Sequence, residues 1–341
     1  IYGGEGMYDI TALGEILIDF TYQGISRNGQ KLFAQNPGGA PANALTSAAR
    51  FGAKTAFLGK AGTDMHGRFL KEILEKEQID TRGFILDERY FTTLAFVDLS
   101  PEGERTFSFA RKPGADTQIT EKELDMEILG NTKIFHVGSL SLTSEPARST
   151  TFAAIKAAKS AGAVISYDPN YRATLWENVE TAKREMKSLI PFVDVMKISD
   201  EETELLTDEK KPEQAAKVLM EKGVKLVAVT LGKDGAYIAN AEGGKRVPGF
   251  ESNVVDTTGA GDAFWGTFLY KLSQSNESIK KITLDMAVEY AGFANAAASL
   301  CVENFGGIPS MPLLADVETT QKSFIYPIKT MWDSRFYAIR K

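Results

Sequence analysis

Along the chain, short apolar runs of strand length alternate with longer segments of helical period. The strand-like runs are Asp9 to Phe20, TAFLGKAG, KIFHVGSL, AVISYDPN, VDVMKIS and KLVAVTLG. Between them lie GGAPANALTSAARFGA, HGRFLKEILEKEQI, PARSTTFAAIKAAKSAG and PEQAAKVLMEKG, whose apolar positions recur at helical spacing. Strands separated by helices predict parallel βαβ units and an open sheet covered on both faces. The first strand is predicted to run from Asp9 through ILIDF to Phe20, and Gly52 to stop the first helix. Residues 90–112 break the rhythm. TTLAFVDL and RTFSFAR flank the turn Pro101-Glu-Gly-Glu104 and read as a hairpin. Such strands suit a small flap, with partner strands from about 20–36. GAYIANAEGGKRVPGF predicts a second hairpin added to the sheet edge. FWGTFLYKLSQS and LDMAVEYAGFANAAASLCVEN predict two long helices. The terminal QKSFIYPIKTMWDSRFYAIRK has no clear period, and neither an internal repeat nor a low-complexity tract is present.

A length of 341 residues accommodates one large α/β domain, with or without an appendage, or two domains. With 43% hydrophobic and 25% charged residues, the composition is that of an ordinary globular protein with a sizeable core. A net charge of -6 argues against a general nucleic-acid binder, whose affinity comes largely from neutralising phosphates. Cys301 is the only cysteine, so neither an intrachain disulfide nor a thiolate zinc cluster can form. That fits a reducing compartment, and a cytoplasmic location is expected. The opening IYGGEGMYD lacks the cationic start and long apolar stretch of a secretory leader. No run approaches the length of a membrane span.

The strongest chemical signal is VVDTTGAGDAFWGTFL, an apolar run that meets a turn of small residues and then a helix. Glycine lets backbone N–H groups crowd against a ligand, and a helix N-terminus adds unpaired donors and a positive field. Gly259, Ala260, Gly261 and the N–H of Asp262 thus form a candidate anion cradle. Asp262 beside it is placed to take a proton from an attacking hydroxyl. The same residues would equally serve as a turn and a helix cap. The chain has neither GxxxxGK[ST] nor a GxGxxG after its first strand, which excludes a P-loop enzyme and argues against a nicotinamide dehydrogenase.

A second signal is Asn36-Pro-Gly-Gly-Ala-Pro-Ala-Asn43. Gly38 and Gly39 allow a polyhydroxylated ligand to approach the backbone, and Asn43 offers both a donor and an acceptor. Asp19, expected at the end of the first strand, can accept from paired hydroxyls. Tyr167-Asp168-Pro-Asn170-Tyr-Arg172 closes another strand. There Arg172 suits a transferring phosphate, while Asp168 and Asn170 suit the nucleotide–magnesium side. Lys197 and Glu202 stand at the next strand end, with Glu202 a candidate indirect magnesium contact. Thr230-Leu-Gly232-Lys-Asp-Gly235 can wall a nucleotide. His66 and His136 lack metal-ligand neighbours and are expected to be structural or rim residues.

With these segments in hand, the sequence resembles the ribokinase-like carbohydrate kinases, most closely bacterial fructokinases, over roughly residues 9–316. GG-AP-AN at 38–43 and DTTGAGDAF at 256–264 are the signature regions. FARKPGAD (109–116), FHVGSLSL (135–142), SYDPNYRATLW (166–176) and NPGGAPANAL (36–45) resemble fructokinase. The resemblance implies a three-layer α/β sandwich with a central mostly parallel sheet and a small β lid. The kinase domain would span 8–318, the lid 19–36 and 90–112, and an extension or strap 319–341. It further implies Asp262 as general base and Gly259, Ala260 and Gly261 as anion hole. Asp19, Gly38, Gly39 and Asn43 would hold the sugar, with Arg105 and Phe107 from the flap and Arg172 near acceptor and phosphate. Residues 229–235 and Asn295 would line the nucleoside. Ser199 stands where the family's Asn-x-x-Glu element has asparagine, leaving Glu202 as a water-mediated magnesium contact. Asp256, Thr258, Cys301, Asn304, Gly306 and Ser310 match the family's potassium position. The expected reaction is ATP-dependent phosphorylation of D-fructose at C6. 2-Keto-3-deoxygluconate, ribose or a nucleoside are alternative acceptors, and a non-catalytic sugar sensor is the rival of another class. The implied partners are a sugar, ATP and magnesium, with potassium and a homodimer through the lid compatible; no nucleic acid or membrane partner is expected.

Overall fold

The computed structural model describes residues 7–99 and 105–322; the side chains of residues 98–107 lie outside that set. The chain enters through β1 (Tyr8–Leu13), crosses to β2 (Leu17–Ile25) and β3 (Lys31–Gly38), and turns into α1 (Ala40–Arg50). Next come β4 (Thr55–Gly62), α2 (Met65–Lys76), β5 (Phe84–Asp87), β6 (Leu94–Leu99) and β7 (Arg105–Ala110). Then follow α3 (Met126–Gly130), β8 (Thr132–Val137), α4 (Ala147–Ser160), β9 (Val164–Tyr167), α5 (Val179–Leu189), β10 (Val195–Ser199) and α6 (Asp200–Thr207). The last elements are α7 (Pro212–Glu221), β11 (Leu226–Thr230), β12 (Ala236–Asn240), β13 (Gly243–Val247), α8 (Ala260–Gln274) and α9 (Leu284–Cys301). A helix over 314–322 follows, running across the residue-319 boundary expected for a C-terminal extension. Its Val317 is buried with Phe51 and Phe293, and residues 323–341 lie outside the described set.

The main sheet runs β13-β12-β11-β10-β9-β8-β1-β4-β5 and is parallel from β11 to β5, with the β12–β13 hairpin antiparallel at one edge. Both faces are buried. Along β11, Leu226 and Ala228 join one apolar cluster while Val227 and Val229 join the other. A strand covered on both sides needs a continuous apolar run, and LVAV is one. The first cluster holds Phe57, Leu70, Phe268 and Tyr290 beneath α1, α2, α8 and α9; the second holds Ile155, Met186 and Leu219 of α4, α5 and α7. This is the expected three-layer sandwich.

A separate four-stranded sheet, β3-β2-β6-β7, forms the lid. Here the structure corrects the reading of Asp9–Phe20 as one strand. The run is split at Gly14-Glu15-Ile16, and Asp19 lies inside lid strand β2, opposite Asn36 of β3 and Ala95 of β6. Every residue from Ile10 to Ile18 is buried, in two different sheets, so an apolar pattern cannot reveal the switch.

Along one edge β1, β8 and β9 end level at Leu13, Val137 and Tyr167, while β10 and β11 end together at Ser199 and Thr230, three residues beyond the Met196 that pairs with Tyr167. The loops leaving that edge carry most of the candidate residues, as open α/β sheets place their ligand sites. Two helices complete the arrangement. α1 and α8 approach until a Cβ at Gly266 would overlap the Ala44 carbonyl oxygen. Beside that contact Ser47 Oγ lies 2.9 Å from Thr267 Oγ1. On its other side, buried Trp265 donates through Nε1 to Ser166 Oγ at 3.0 Å, and Ser166 meets His136 Nδ1 at 3.0 Å. Burial, with the Lys197 charge, pushes His136 down to about 3, so it is neutral and structural. His66 packs its ring against Phe20 of the lid and Phe91.

Gly266→Ala is expected to lose about 1–3 kcal/mol of stability, because backbone meets the new methyl and cannot yield. Gly292→Ala, in α9, has its nearest neighbour 3.9 Å away; it is expected to gain up to about 1 kcal/mol from the stiffer unfolded chain. Urea unfolding of the two variants measures the contrast.

Candidate active site

The signature segment DTTGAGD is the approach to α8. Gly259 is the N-cap, at φ 85, a left-handed conformation that glycine adopts without strain. No side chain caps the helix; Ala260 N closes a turn onto the Thr257 carbonyl at 3.3 Å, and the next N–H groups, of Gly261 and Asp262, are the donors available to a ligand. Asp262 follows in the first turn and is buried. Asn43, in the first turn and a half of α1, donates from Nδ2 to Asp262 Oδ2 at 2.8 Å. Its own helix also begins on a glycine of positive φ, Gly39 at φ 117, but there the Glu15 carboxylate accepts the first helical N–H, that of Ala40, at 3.0 Å. A Cβ at Gly39 would sit 2.5 Å from the Glu15 carbonyl oxygen, which excludes any larger residue.

Behind the α8 turn lies Lys197. Its Nζ donates to Asp168 Oδ2 at 2.9 Å and would stand 2.9 Å from a Cβ at Gly261, so the ammonium underlies the cradle. Burial works against that charge, but Asp168, Glu202 and Asp262 outweigh it and hold the amine above its usual range. Asp262 shifts the other way for a carboxylate. Burial and the repulsion of Asp168 raise it to about 6, partly offset by Asn43, Lys197 and Arg172. A carboxylate near that value is ionised at neutral pH yet retains appreciable affinity for a proton, as a general base requires. Asp19 is raised to about 7, by burial and by Asp256 and Asp262, against the pull of Arg172. A Cβ at Gly38 would overlap its Oδ2, so Gly38 is the space that lets this carboxylate reach inward.

A cleft of about 590 Å³ brings together Asp19, Gly39, Asn43, Asn170, Arg172 and Lys197 with Glu202, Thr230, Gly232, Thr258, Gly259, Gly261, Asp262 and Gly306. Arg172 is exposed at its rim. Asn170, expected toward the nucleotide, has φ 47 and turns its Nδ2 to Asp262 Oδ1 at 3.3 Å, making it a second amide on the acid. Glu202 accepts from Tyr171 N at 2.7 Å and from Ser199 N at 2.8 Å, closing a capping box on α6 with Ser199.

Two residues expected at the nucleoside make contacts within the fold. Asn295 donates from Nδ2 to the Val247 and Pro248 carbonyls at 3.1 and 2.9 Å, fastening α9 to the end of β13. Gly235 provides clearance for the Val247 carbonyl. Asp256 accepts from Thr258 N at 2.8 Å and Gly306 N at 3.1 Å, so the loops carrying Thr258, Cys301, Asn304, Gly306 and Ser310 do meet. Ser310 Oγ donates to the Gly307 carbonyl at 2.8 Å and lies 3.1 Å from Cys301 Sγ. Arg105 and Phe107 stand on β7, but their side chains lie outside the described residues. Glu15, Thr21, Val97, Phe109, Leu140 and Thr257 also line the cleft and were not anticipated. Of these, only Glu15 bore a sequence signal, an acid inside an apolar run.

The sequence profile of the pfkB family carbohydrate kinases matches residues 7–314. The chain belongs to this family. A relative named Fructokinase-2, from Oryza sativa subsp. japonica, is 40% identical to this kinase over 309 residues, 90% of this chain and 91% of its own. The fructokinase of Xylella fastidiosa with bound ATP superposes with a TM-score of 0.85 at 31% identity, covering 93% of this chain and 99% of that one. A double-mutant fructokinase from Vibrio cholerae O395, solved with fructose, ADP and potassium ion, superposes with a TM-score of 0.83 at 30% identity, covering 93% and 100%. Among the described residues of the kinase, no helix is long and apolar enough to cross a membrane.

Asp262→Asn preserves the shape of the carboxylate and removes its basicity. It is expected to fold normally, bind sugar within a few-fold of wild type, and lose ~10²–10⁴-fold in turnover, the range of a general base. Calorimetric sugar binding beside a coupled ADP assay measures both, and near-normal turnover would sink the assignment.

Proposed function

We propose that this kinase transfers the γ-phosphoryl group of ATP to the C6 hydroxyl of D-fructose, giving fructose 6-phosphate and ADP. The observation that carries the chemistry is the buried Asp262 at the uncapped start of α8, hydrogen-bonded to Asn43. The choice of sugar rests on the near full-length likeness to fructokinases. In the proposed reaction the sugar oxygen bonds to the γ-phosphorus as the bond to the β,γ-bridging oxygen breaks. The hydroxyl proton passes to Asp262. The N–H groups of Gly259, Ala260, Gly261 and Asp262 with Lys197 and Arg172 offset the charge on the phosphoryl oxygens. Asp19, Gly38, Gly39 and Asn43 orient the acceptor, and the flap residues Arg105 and Phe107 are assigned to the same pocket. Asn170 holds the base. Thr230, Gly232 and Gly235 are assigned to the nucleotide side, where Asp168 acts by fixing Lys197 and Asn295 by fixing the wall.

Both Glu202 oxygens already accept backbone N–H groups, which suits contact with magnesium through water better than direct ligation. The hard oxygens of Asp256, Ser310 and the neighbouring carbonyls suit potassium, and among the described residues no cluster of three or more His, Cys, Asp or Glu suits a transition metal. Bound magnesium supplies neutralising charge to the nucleotide phosphates. A sugar panel with an ADP-coupled assay, run with and without potassium, tests the reading. Fructose is expected to give the highest kcat/KM. Preference for ribose or 2-keto-3-deoxygluconate would replace the sugar, and binding without turnover would replace the enzyme by a sensor.

We also infer a homodimer built on the lid. Thr21 and Val97 line the cleft, so strand alternation places Phe20, Tyr22 and Phe96 on the opposite face. Phe20 stacks on Phe96 at 5.3 Å, Phe33 meets Phe96 edge-on at 6.2 Å, and Phe33 and Phe96 remain 36% and 39% exposed. Such cross-strand aromatics fit a second copy of the same sheet. Light scattering is expected to give twice the chain mass for wild type and a monomer for Phe96→Arg; a wild-type monomer at assay concentration contradicts the inference. A reducing, cytoplasmic location is the compartment that fits the lone buried Cys301.

A further inference from the structure

The lid leaves the body of the kinase at four points, and each carries a polar group engaged in the interior. Before β2 stands Glu15; after β3, the N–H of Ala40; before β6, Thr93; after β7, Arg111. Ala40 N donates to Glu15 Oε1 at 3.0 Å, tying the first two points together. The other two meet on Asp116. Thr93 Oγ1 donates to its Oδ1 at 2.5 Å, and Arg111 Nε and Nη2 donate to its Oδ2 at 2.8 and 2.6 Å. Arg111 continues inward, giving Nη1 to Thr143 Oγ1 and Nη2 to the Leu140 carbonyl, both at 2.8 Å. Leu140 lines the cleft. Glu15, Thr93, Arg111 and Asp116 are all buried. The charges of Arg111 and Asp116 both reach the Glu15 carboxyl, so the two pairs of roots lie in one electrostatic neighbourhood.

The geometry is tight. A Cβ at Gly114 would overlap Thr93 Oγ1 and stand 2.8 Å from Asp116 Oδ1, so the hydroxyl and the carboxylate close over a glycine. An arginine fork on a buried carboxylate fixes direction as well as distance, because both partners are planar and neither can turn to water. The chemistry of phosphoryl transfer uses none of these four side chains.

We propose that Asp116, clamped between Thr93 and Arg111, is a positioning residue for the lid: it sets where β6 and β7 leave the body and so how closely the cleft-facing lid side chains cover the acceptor. The inference rests on the sugar-kinase reading. It follows that loosening the clamp weakens sugar binding and admits water as a competing acceptor, while ATP binding, on the far side of the cleft, is spared.

Thr93→Val removes one hydrogen bond to the carboxylate at nearly constant volume; Thr93→Ser keeps it; Asp116→Asn removes the charge. A lid displaced by the loosened clamp is expected to raise the KM for fructose roughly tenfold, equivalent to ~1.4 kcal/mol of acceptor binding. Thr93→Val and Asp116→Asn are expected to show that rise, an unchanged KM for ATP, and more ADP formed per fructose 6-phosphate than wild type, with Thr93→Ser matching wild type. Folded variants with unchanged fructose KM and unchanged ADP-to-product ratio would overturn the proposal. So would a loss of activity that merely follows the folded fraction. If wild type itself fails to phosphorylate fructose, the substrate reading falls; amide hydrogen exchange then decides the clamp without an acceptor. β6 amides are expected to exchange faster in Thr93→Val than in Thr93→Ser, with β8 and β9 unchanged, and equal exchange in the two variants overturns it.

Discussion

The site depends on how closely two helices can touch. Asn43 and Asp262 are 219 residues apart, and their 2.8 Å hydrogen bond exists because α1 and α8 meet backbone to backbone at Ala44 and Gly266. Side chains at that seam are small throughout, with Ser47 and Thr267 sharing a hydrogen bond just beyond it. A bulkier seam would part the helices and separate the Asp262 carboxylate from the Asn43 amide that orients it. Both helices also begin on a glycine of positive φ. At α1 the first N–H is taken by Glu15 Oε1, whereas at α8 the first-turn N–H groups of Gly261 and Asp262 face the cleft as donors for phosphoryl oxygens.

Charge in that cleft is kept in tension. Asp262 and Asp19 are pushed up by burial and by neighbouring carboxylates, while Lys197 is held charged by three acids around it. The result is a carboxylate whose proton affinity suits a general base and an ammonium that stays cationic although buried. Neither follows from one residue alone. Asp168 shows the division of labour: it holds Lys197 beneath Gly261 and at the same time repels Asp262 into its useful range.

Much of this was legible in the sequence because its physics is local. Glycine before an apolar helix announces an uncapped N-terminus, and continuous apolar strands such as LVAV announce a sheet buried on both faces. What was not legible is long-range. Asp9–Phe20 reads as one strand because burial continues from Ile10 to Ile18 while the chain changes sheets at Gly14-Glu15-Ile16. The four-residue β5 is too short to show a period. Asn170 is expected on the nucleotide–magnesium side, whereas a left-handed turn carries its amide to Asp262. Asn295 and Gly235, expected at a nucleoside wall, make contacts within the fold: Asn295 binds the Val247 and Pro248 carbonyls and Gly235 leaves room for the Val247 carbonyl. The polar knot at the lid roots joins residues 15, 93, 111 and 116, which no single window contains.

Asp262 is proposed to accept the acceptor's proton during transfer. The most direct test is the pH dependence of turnover at saturating fructose and ATP, compared with the residual turnover of Asp262→Asn. Since the base works only when ionised, wild-type turnover should rise with pH through the region near 6, the value to which burial and Asp168 raise this carboxyl. The residual turnover of the asparagine variant should be flat across that range. The same acid limb in both proteins would contradict the account.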